Sequence, residues 1–120
     1  MKSTPSIVVF EPDLLFSSRI ESQARRLGAD VKLVTDCDGL LRQLRENVPE
    51  LLIVNLDLLE TRLEQLQEFL GGRSCKSVGY CSHLNALLGE EAKRFGVGLV
   101  MSRGSFVTKM REVLAQVSRG

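Results

Sequence analysis

Four short polar side chains follow apolar runs at matching two-residue intervals: Glu11 and Asp13 after Ile7-Val8-Val9-Phe10, and Asn55 and Asp57 after Leu51-Leu52-Ile53-Val54. Carboxylates gathered at such strand ends can hold a hard divalent cation, and one of them can attack phosphorus as an anion. Asn55 breaks that pattern. A neutral amide is a far weaker nucleophile and brings no charge to a cation. Pro12, between the first two acids, offers neither carboxylate nor N–H.

The run Leu51 to Val54 has no polar interruption, the pattern of a central parallel strand covered on both faces. Around it the chain reads as five strand-then-helix units. Ile7–Phe10 is the first strand; a helix follows with Phe16, Ile20, Ala24 and Leu27 inward, capped by Asp13 and stopped at Gly28. Val31–Val34 is a second strand, and Asp36 to Gly39 open a helix carrying Leu40, Leu41 and Leu44. After the central strand, Glu60 to Leu70 predicts a third helix with Leu63, Leu66 and Leu70 inward, ended by Gly71-Gly72. Ser77–Cys81 is a fourth strand weakened by Gly79, and Leu84 to Phe95 a fourth helix. Val97–Met101 gives the fifth strand. The last helix has Ser105 as N-cap and Phe106, Met110, Val113, Leu114 and Val117 inward.

Parallel strands need crossovers, and right-handed crossovers put helices on both faces. The expectation is an α/β fold, a flavodoxin-like (βα)₅ three-layer sandwich of one domain, 1–120, with parallel sheet order 2-1-3-4-5. The switch point then brings Glu11, Asp13, Asn55 and Asp57 to one rim, with Cys81, Ser82 and Arg103 arriving from the fourth and fifth strands.

Composition excludes several classes. Sixteen basic and fifteen acidic residues leave a net charge of +1, so no global field recruits nucleic acid or a membrane surface. No apolar run approaches the ~20 residues of a membrane span, and no signal-type segment follows the N-terminus; the expected location is cytoplasmic. Cys37, Cys75 and Cys81 lack metal-ligand spacing and read as reduced, mostly buried thiols. His83 is the one histidine, a loop or capping residue. No metal site, cofactor or nucleotide motif is expected. Flavin mononucleotide is disfavoured because Glu11-Pro12-Asp13 would repel its phosphate and withhold an amide.

The segments Ile7 to Asp13, Pro49 to Leu59, Tyr80-Cys81-Ser82-His83 and Val100-Met101-Ser102-Arg103 resemble the landmarks of response-regulator receiver (CheY-like) domains, over nearly the whole chain. The resemblance implies two-component signalling. In that family two adjacent acids and an aspartate ending the third strand hold Mg²⁺, the aspartate takes a phosphoryl group, and a Thr or Ser and a Lys sense it. Here the acceptor position falls on Asn55, Pro12 replaces one acid, Arg103 replaces the lysine, and Cys81 or Ser82 takes the switch position. Arg103 is expected to pair with Glu11 or Asp57, and Asp57 to cap a helix or bind loop amides.

The implied function is a pseudo-receiver, not an enzyme, that binds a signalling protein, an output domain or a second copy through its fourth helix, fifth strand and fifth helix. Leu87, Leu88, Val107, Lys109 and Arg111 are the contact candidates. The rival is a phosphorylatable regulator using Asp57 or Asp13 with Mg²⁺. A third reading makes Cys81 a redox sensor whose thiolate Arg103 stabilises.

Overall fold

The structure, a computed structural model, describes residues 4–59, 62–70, 75–82 and 86–118. Its strands are Ser6–Phe10 (β1), Asp30–Val34 (β2), Leu51–Asn55 (β3), Lys76–Cys81 (β4) and Leu99–Ser102 (β5). The helices are Leu14–Arg26 (α1), Cys37–Glu46 (α2), Gln67–Leu70 (α3), Ala86–Arg94 (α4) and Arg103–Ser118 (α5). All five strands are parallel and form one sheet in the order β2-β1-β3-β4-β5, the expected flavodoxin-like arrangement.

Alternation along the central strands divides the core in two. Ile7, Val9, Leu51, Ile53, Val78 and Tyr80 pack with Phe16, Ile20 and Ala24 of α1 and Phe106, Met110, Val113 and Leu114 of α5. Val8, Phe10, Leu52 and Val54 face the other way, toward Leu40, Leu41 and Leu44 of α2, Phe69 and Leu70 of α3, and Ala92 of α4. Each layer therefore has its own apolar stripe, as the helical spacing implied.

Local signals set most boundaries. Asp13 Oδ1 accepts from the Leu15 and Phe16 amides, capping α1, and Asp36 caps α2 through the Gly39 amide at 2.6 Å. Gly28 and Gly96 end α1 and α4 with φ of +84° and +104°, a region open to glycine at little cost. The N-cap of α5 is Ser102, not Ser105: Ser102 Oγ accepts the Ser105 amide, and the helix begins at Arg103. The fifth strand starts two residues later than the apolar run suggested.

The third helix differs most from expectation. Leu56–Leu58 and Leu63–Leu66 are 3₁₀ turns, and only Gln67–Leu70 is α-helical. Leu59, Arg62 and Gln65 each donate their amide three residues back, to Leu56, Leu59 and Arg62. The spacing of three in Leu56/Leu59 and Leu63/Leu66 fits three residues per turn, and all four leucines are buried. The α4 helix starts at Ala86 among the described residues; Glu60, Gly71-Gly72, His83, Leu84 and the side chain of Val117 lie outside what the structure describes.

Gly79 has a packing reason. A Cβ there would stand 2.7 Å from Leu56 Cγ, so the glycine gives the leucine after Asn55 its slot in the core.

Candidate functional site

The ends of β1, β3 and β4 bring Glu11, Asn55 and Tyr80 to the same side of the sheet, because Glu11 continues the Ile7/Val9 face and Asn55 the Leu51/Ile53 face, and Asn55 is in register with Tyr80. Glu11 is only 2% exposed and Asn55 8%. A carboxylate in such a place must be hydrogen-bonded. Glu11 Oε1 accepts the Tyr80 hydroxyl at 2.5 Å and Asn55 Nδ2 at 3.1 Å, and Oε2 accepts the Asp13 amide at 3.0 Å. No buried side-chain nitrogen or oxygen is left without a partner among the described residues.

Both ends of the Asn55 amide are used. Its nitrogen donates to Glu11, while Oδ1 accepts the Asp57 amide at 3.0 Å and so caps the turn that ends the strand. An aspartate could perform the second task. Only the amide performs both.

Tyr80 was absent from the sequence-derived site. It is fully buried, stacked on Phe106 with ring centroids 4.8 Å apart and edge-on to Phe16 at 5.5 Å. Its one available signal was polarity: it is the single tyrosine of the chain, one residue inside the end of an apolar strand. Burial first, then the hydrogen bond and charge of Glu11, push its phenol far above the ordinary value of ~10. A folded-state pKa above the unfolded one means that this contribution is complete below pH ~10 and is lost above it, at about 1.4 kcal/mol per pH unit. The expected outcome is that phenolate absorbance rises together with loss of circular dichroism in an alkaline titration. Phenolate forming in the folded protein would contradict this placement.

Asp57 lies in the 3₁₀ turn beyond β3 and not in the strand, so its position does not follow from strand pleating. Of the expected partners it has the loop amide: Oδ2 accepts the Ser82 N–H at 3.0 Å and the Ser82 hydroxyl at 2.8 Å, tying the β3 exit to the β4 exit. Arg103 reaches neither Glu11 nor Asp57. Its Nη2 lies 3.5 Å from Asp13 Oδ2, and its Cζ sits 4.1 Å above the Phe16 ring. Stacking on the aromatic edge of the α1/α5 core is available to a planar guanidinium. Both partners of the ion pair are well exposed, so it adds little.

Of the two switch-position candidates, Ser82 is at the rim and exposed. Cys81 is buried in the α2–α4 layer, with Sγ facing Met101 O at 3.9 Å. Burial and then the Asp57 charge push the Cys81 thiol up. That is the opposite of what a reactive thiolate requires. Cys37 and Cys75 are half-buried, less hidden than expected.

Of the contact candidates, Leu87 is 78% exposed, and Lys109 and Arg111 are exposed. Leu88 and Val107 are half-buried against the two cores, because each falls at the edge of its helix's inward stripe. Among the described residues no group of three or more His, Cys, Asp or Glu side chains is placed to hold a metal, and no helix is long and apolar enough to cross a membrane.

No protein-family profile and no curated protein matches the sequence. Solved structures do. The chain is similar to a two-component response regulator from Clostridium difficile, at 12% identity over 97% of both chains with a TM-score of 0.82. It is similar to an orphan response regulator of H. pylori at 9% identity, over 99% of this chain and 98% of the other, with a TM-score of 0.80. The chain has the receiver fold. A response regulator from Burkholderia pseudomallei, solved with a phosphorylated aspartic acid and a calcium ion, matches with a TM-score of 0.74 and 16% identity over 93% of this chain and 72% of that one. Within the receiver fold, the rim formed by β1, β3 and β4 is the place where Glu11, Asn55 and Tyr80 meet.

Proposed function

We infer that this chain is a receiver-like domain of two-component signalling that works through protein contacts and not through a phosphorylated aspartate. One observation carries the reading: the residue at the end of β3 is an amide whose nitrogen is already committed to a buried carboxylate, Glu11. The Burkholderia protein carries a phosphorylated aspartic acid; Asn55, where the family resemblance puts the acceptor in this chain, has no anionic oxygen to attack phosphorus.

The acids that remain are engaged elsewhere. Asp13 caps α1 with one oxygen and meets Arg103 with the other, and Asp57 accepts twice from Ser82. The rival reading, phosphorylation of Asp57 or Asp13 with Mg²⁺, draws on the exposure of both side chains. Mg²⁺ asks for near-octahedral oxygen ligands from one or two carboxylates. Both oxygens of Glu11 face protein donors and the Pro12 side chain has no ligand atom, so the side chains present do not fit the ion.

On this reading the domain is not an enzyme, needs no cofactor and resides in the cytoplasm. It presents α4, β5 and α5 to a signalling partner, an output domain or a second copy, with Leu87, Lys109 and Arg111 outward and Leu88 and Val107 supporting them. Amide NMR spectra recorded with Mg²⁺ and beryllofluoride, a phosphoryl mimic, test it. Resonances of residues 11, 13, 55, 57 and 82 are expected to stay in place, and saturable shifts there would overturn the reading.

A further inference from the structure

In a rim built for a divalent ion, the cation neutralises the acidic side chains and holds them in place. Here the acid of β1 is held without one. Glu11 is nine-tenths or more buried, and the positive ends of three dipoles converge on it: the Tyr80 hydroxyl, Asn55 Nδ2 and the Asp13 amide. The shortest of these contacts comes from the interior of the protein, from a side chain clamped between Phe106 and Phe16.

We propose that Tyr80 takes the place of the divalent cation in this receiver fold: its hydroxyl, with the Asn55 amide, satisfies Glu11 from inside and closes the pocket to metal. This rests on the non-phosphorylated reading and adds to it the residue that keeps the site shut. The chemistry is that of preorganised donors. A hydrogen bond to an ionised acceptor is worth more than one between neutral groups, and in a buried setting no water competes for the oxygen. Glu11 cannot turn outward to a cation without leaving the Tyr80 hydroxyl unpaired in an apolar aromatic cluster, a further cost that metal binding must offset.

The arrangement also explains why the departures at 55 and 12 occur together with a buried tyrosine at 80. An aspartate at 55 would oppose Glu11, an acid at 12 would add charge that no cation neutralises, and a phenylalanine at 80 would withdraw the shortest donor. Asn55, Pro12 and Tyr80 are mutually consistent as a metal-free solution.

Calorimetric titration with Mg²⁺ of two variants tests the assignment. The first, Pro12→Asp/Asn55→Asp, rebuilds the carboxylates and keeps Tyr80; the second adds Tyr80→Phe. The second is expected to bind Mg²⁺ about ten- to a hundredfold more tightly than the first, because Glu11 then turns to the ion without leaving a buried hydroxyl unpaired. Equal affinities would overturn the role of Tyr80.

A measurement on the unaltered protein covers the case in which either variant fails to fold. The chain contains one tyrosine and no tryptophan, so its tyrosine emission belongs to Tyr80 alone. A phenol bonded to a carboxylate is quenched, and millimolar Mg²⁺ or Ca²⁺ is expected to leave that weak emission unchanged, whereas Glu11→Gln raises it. Recovery of emission on adding either ion would show Glu11 leaving Tyr80 for metal and would overturn the proposal. The two readings fail separately: a phosphoryl adduct contradicts the silent site, while equal Mg²⁺ affinities contradict only the part given to Tyr80.

Discussion

Asn55→Asp, which returns an acid to the end of β3, is expected to lower stability at neutral pH by about 3 kcal/mol. The asparagine nitrogen sits 3.1 Å from Glu11 Oε1, and an aspartate oxygen in its place would put two carboxylates in contact, each nearly excluded from water. Like charges at that separation cannot both ionise without penalty, so the pair retains a proton well above the ordinary carboxylate range. The sign of the pH dependence follows. The folded variant binds more protons than the unfolded chain, so the deficit is absent below about pH 4 and grows as pH rises toward neutrality. Urea unfolding at several pH values reads this directly. A uniform deficit across pH would mean that the aspartate turns away from Glu11, and an unchanged stability would mean that the amide is dispensable.

The second large effect is expected from Glu11→Ala. Removing the acceptor leaves the Tyr80 hydroxyl and Asn55 Nδ2 unpaired in the interior, each at about 1–3 kcal/mol. The sum is about 2–6 kcal/mol, a large share of the 5–15 kcal/mol that stabilises a typical domain. Tyr80→Phe removes one donor but leaves Glu11 with the Asn55 amide and the Asp13 N–H, so it is expected to cost only about 1.5–3 kcal/mol. The ranking tests whether Glu11 is the hub of the network, since a hub's loss strands every partner and a partner's loss strands part of one group. Chemical denaturation of both variants decides it; Tyr80→Phe costing more than Glu11→Ala would place the hub at the tyrosine.

Much of the scaffold was readable because short-range rules and long-range packing agree in this chain. The uninterrupted Leu51–Val54 run could only be a strand covered on both sides, and helical spacing at Phe16, Ile20 and Ala24 marked the matching face of α1. Where several local signals compete, the sequence does not decide between them. Leucines spaced alternately by three and four between Leu56 and Leu70 suit either an α-helix or 3₁₀ turns, and the backbone took 3₁₀ for most of the described stretch. Ser102 and Ser105 are both good capping residues, and the choice depended on where β5 stops, a property of its pairing with β4.

The site was half readable for a related reason. Topology alone places Glu11, Asn55 and Asp57 at one rim, and the chemistry of an amide at the end of β3 needs no coordinates. The inward turn of Glu11 could not be read from its own neighbours in sequence, since it depends on a hydroxyl 69 positions away that reaches it across β3. Arg103 likewise chose between partners by distance. The Phe16 ring and Asp13 lie on the α1 side, where its guanidinium begins α5, and neither is near it in sequence.

The central claim is that this receiver fold has no acceptor for a phosphoryl group, and intact-mass analysis after incubation with acetyl phosphate and Mg²⁺ tests it most directly. The account predicts the unmodified mass for the wild-type chain at every time point. A stoichiometric phosphoryl adduct that disappears in Asp57→Ala or Asp13→Ala would contradict it.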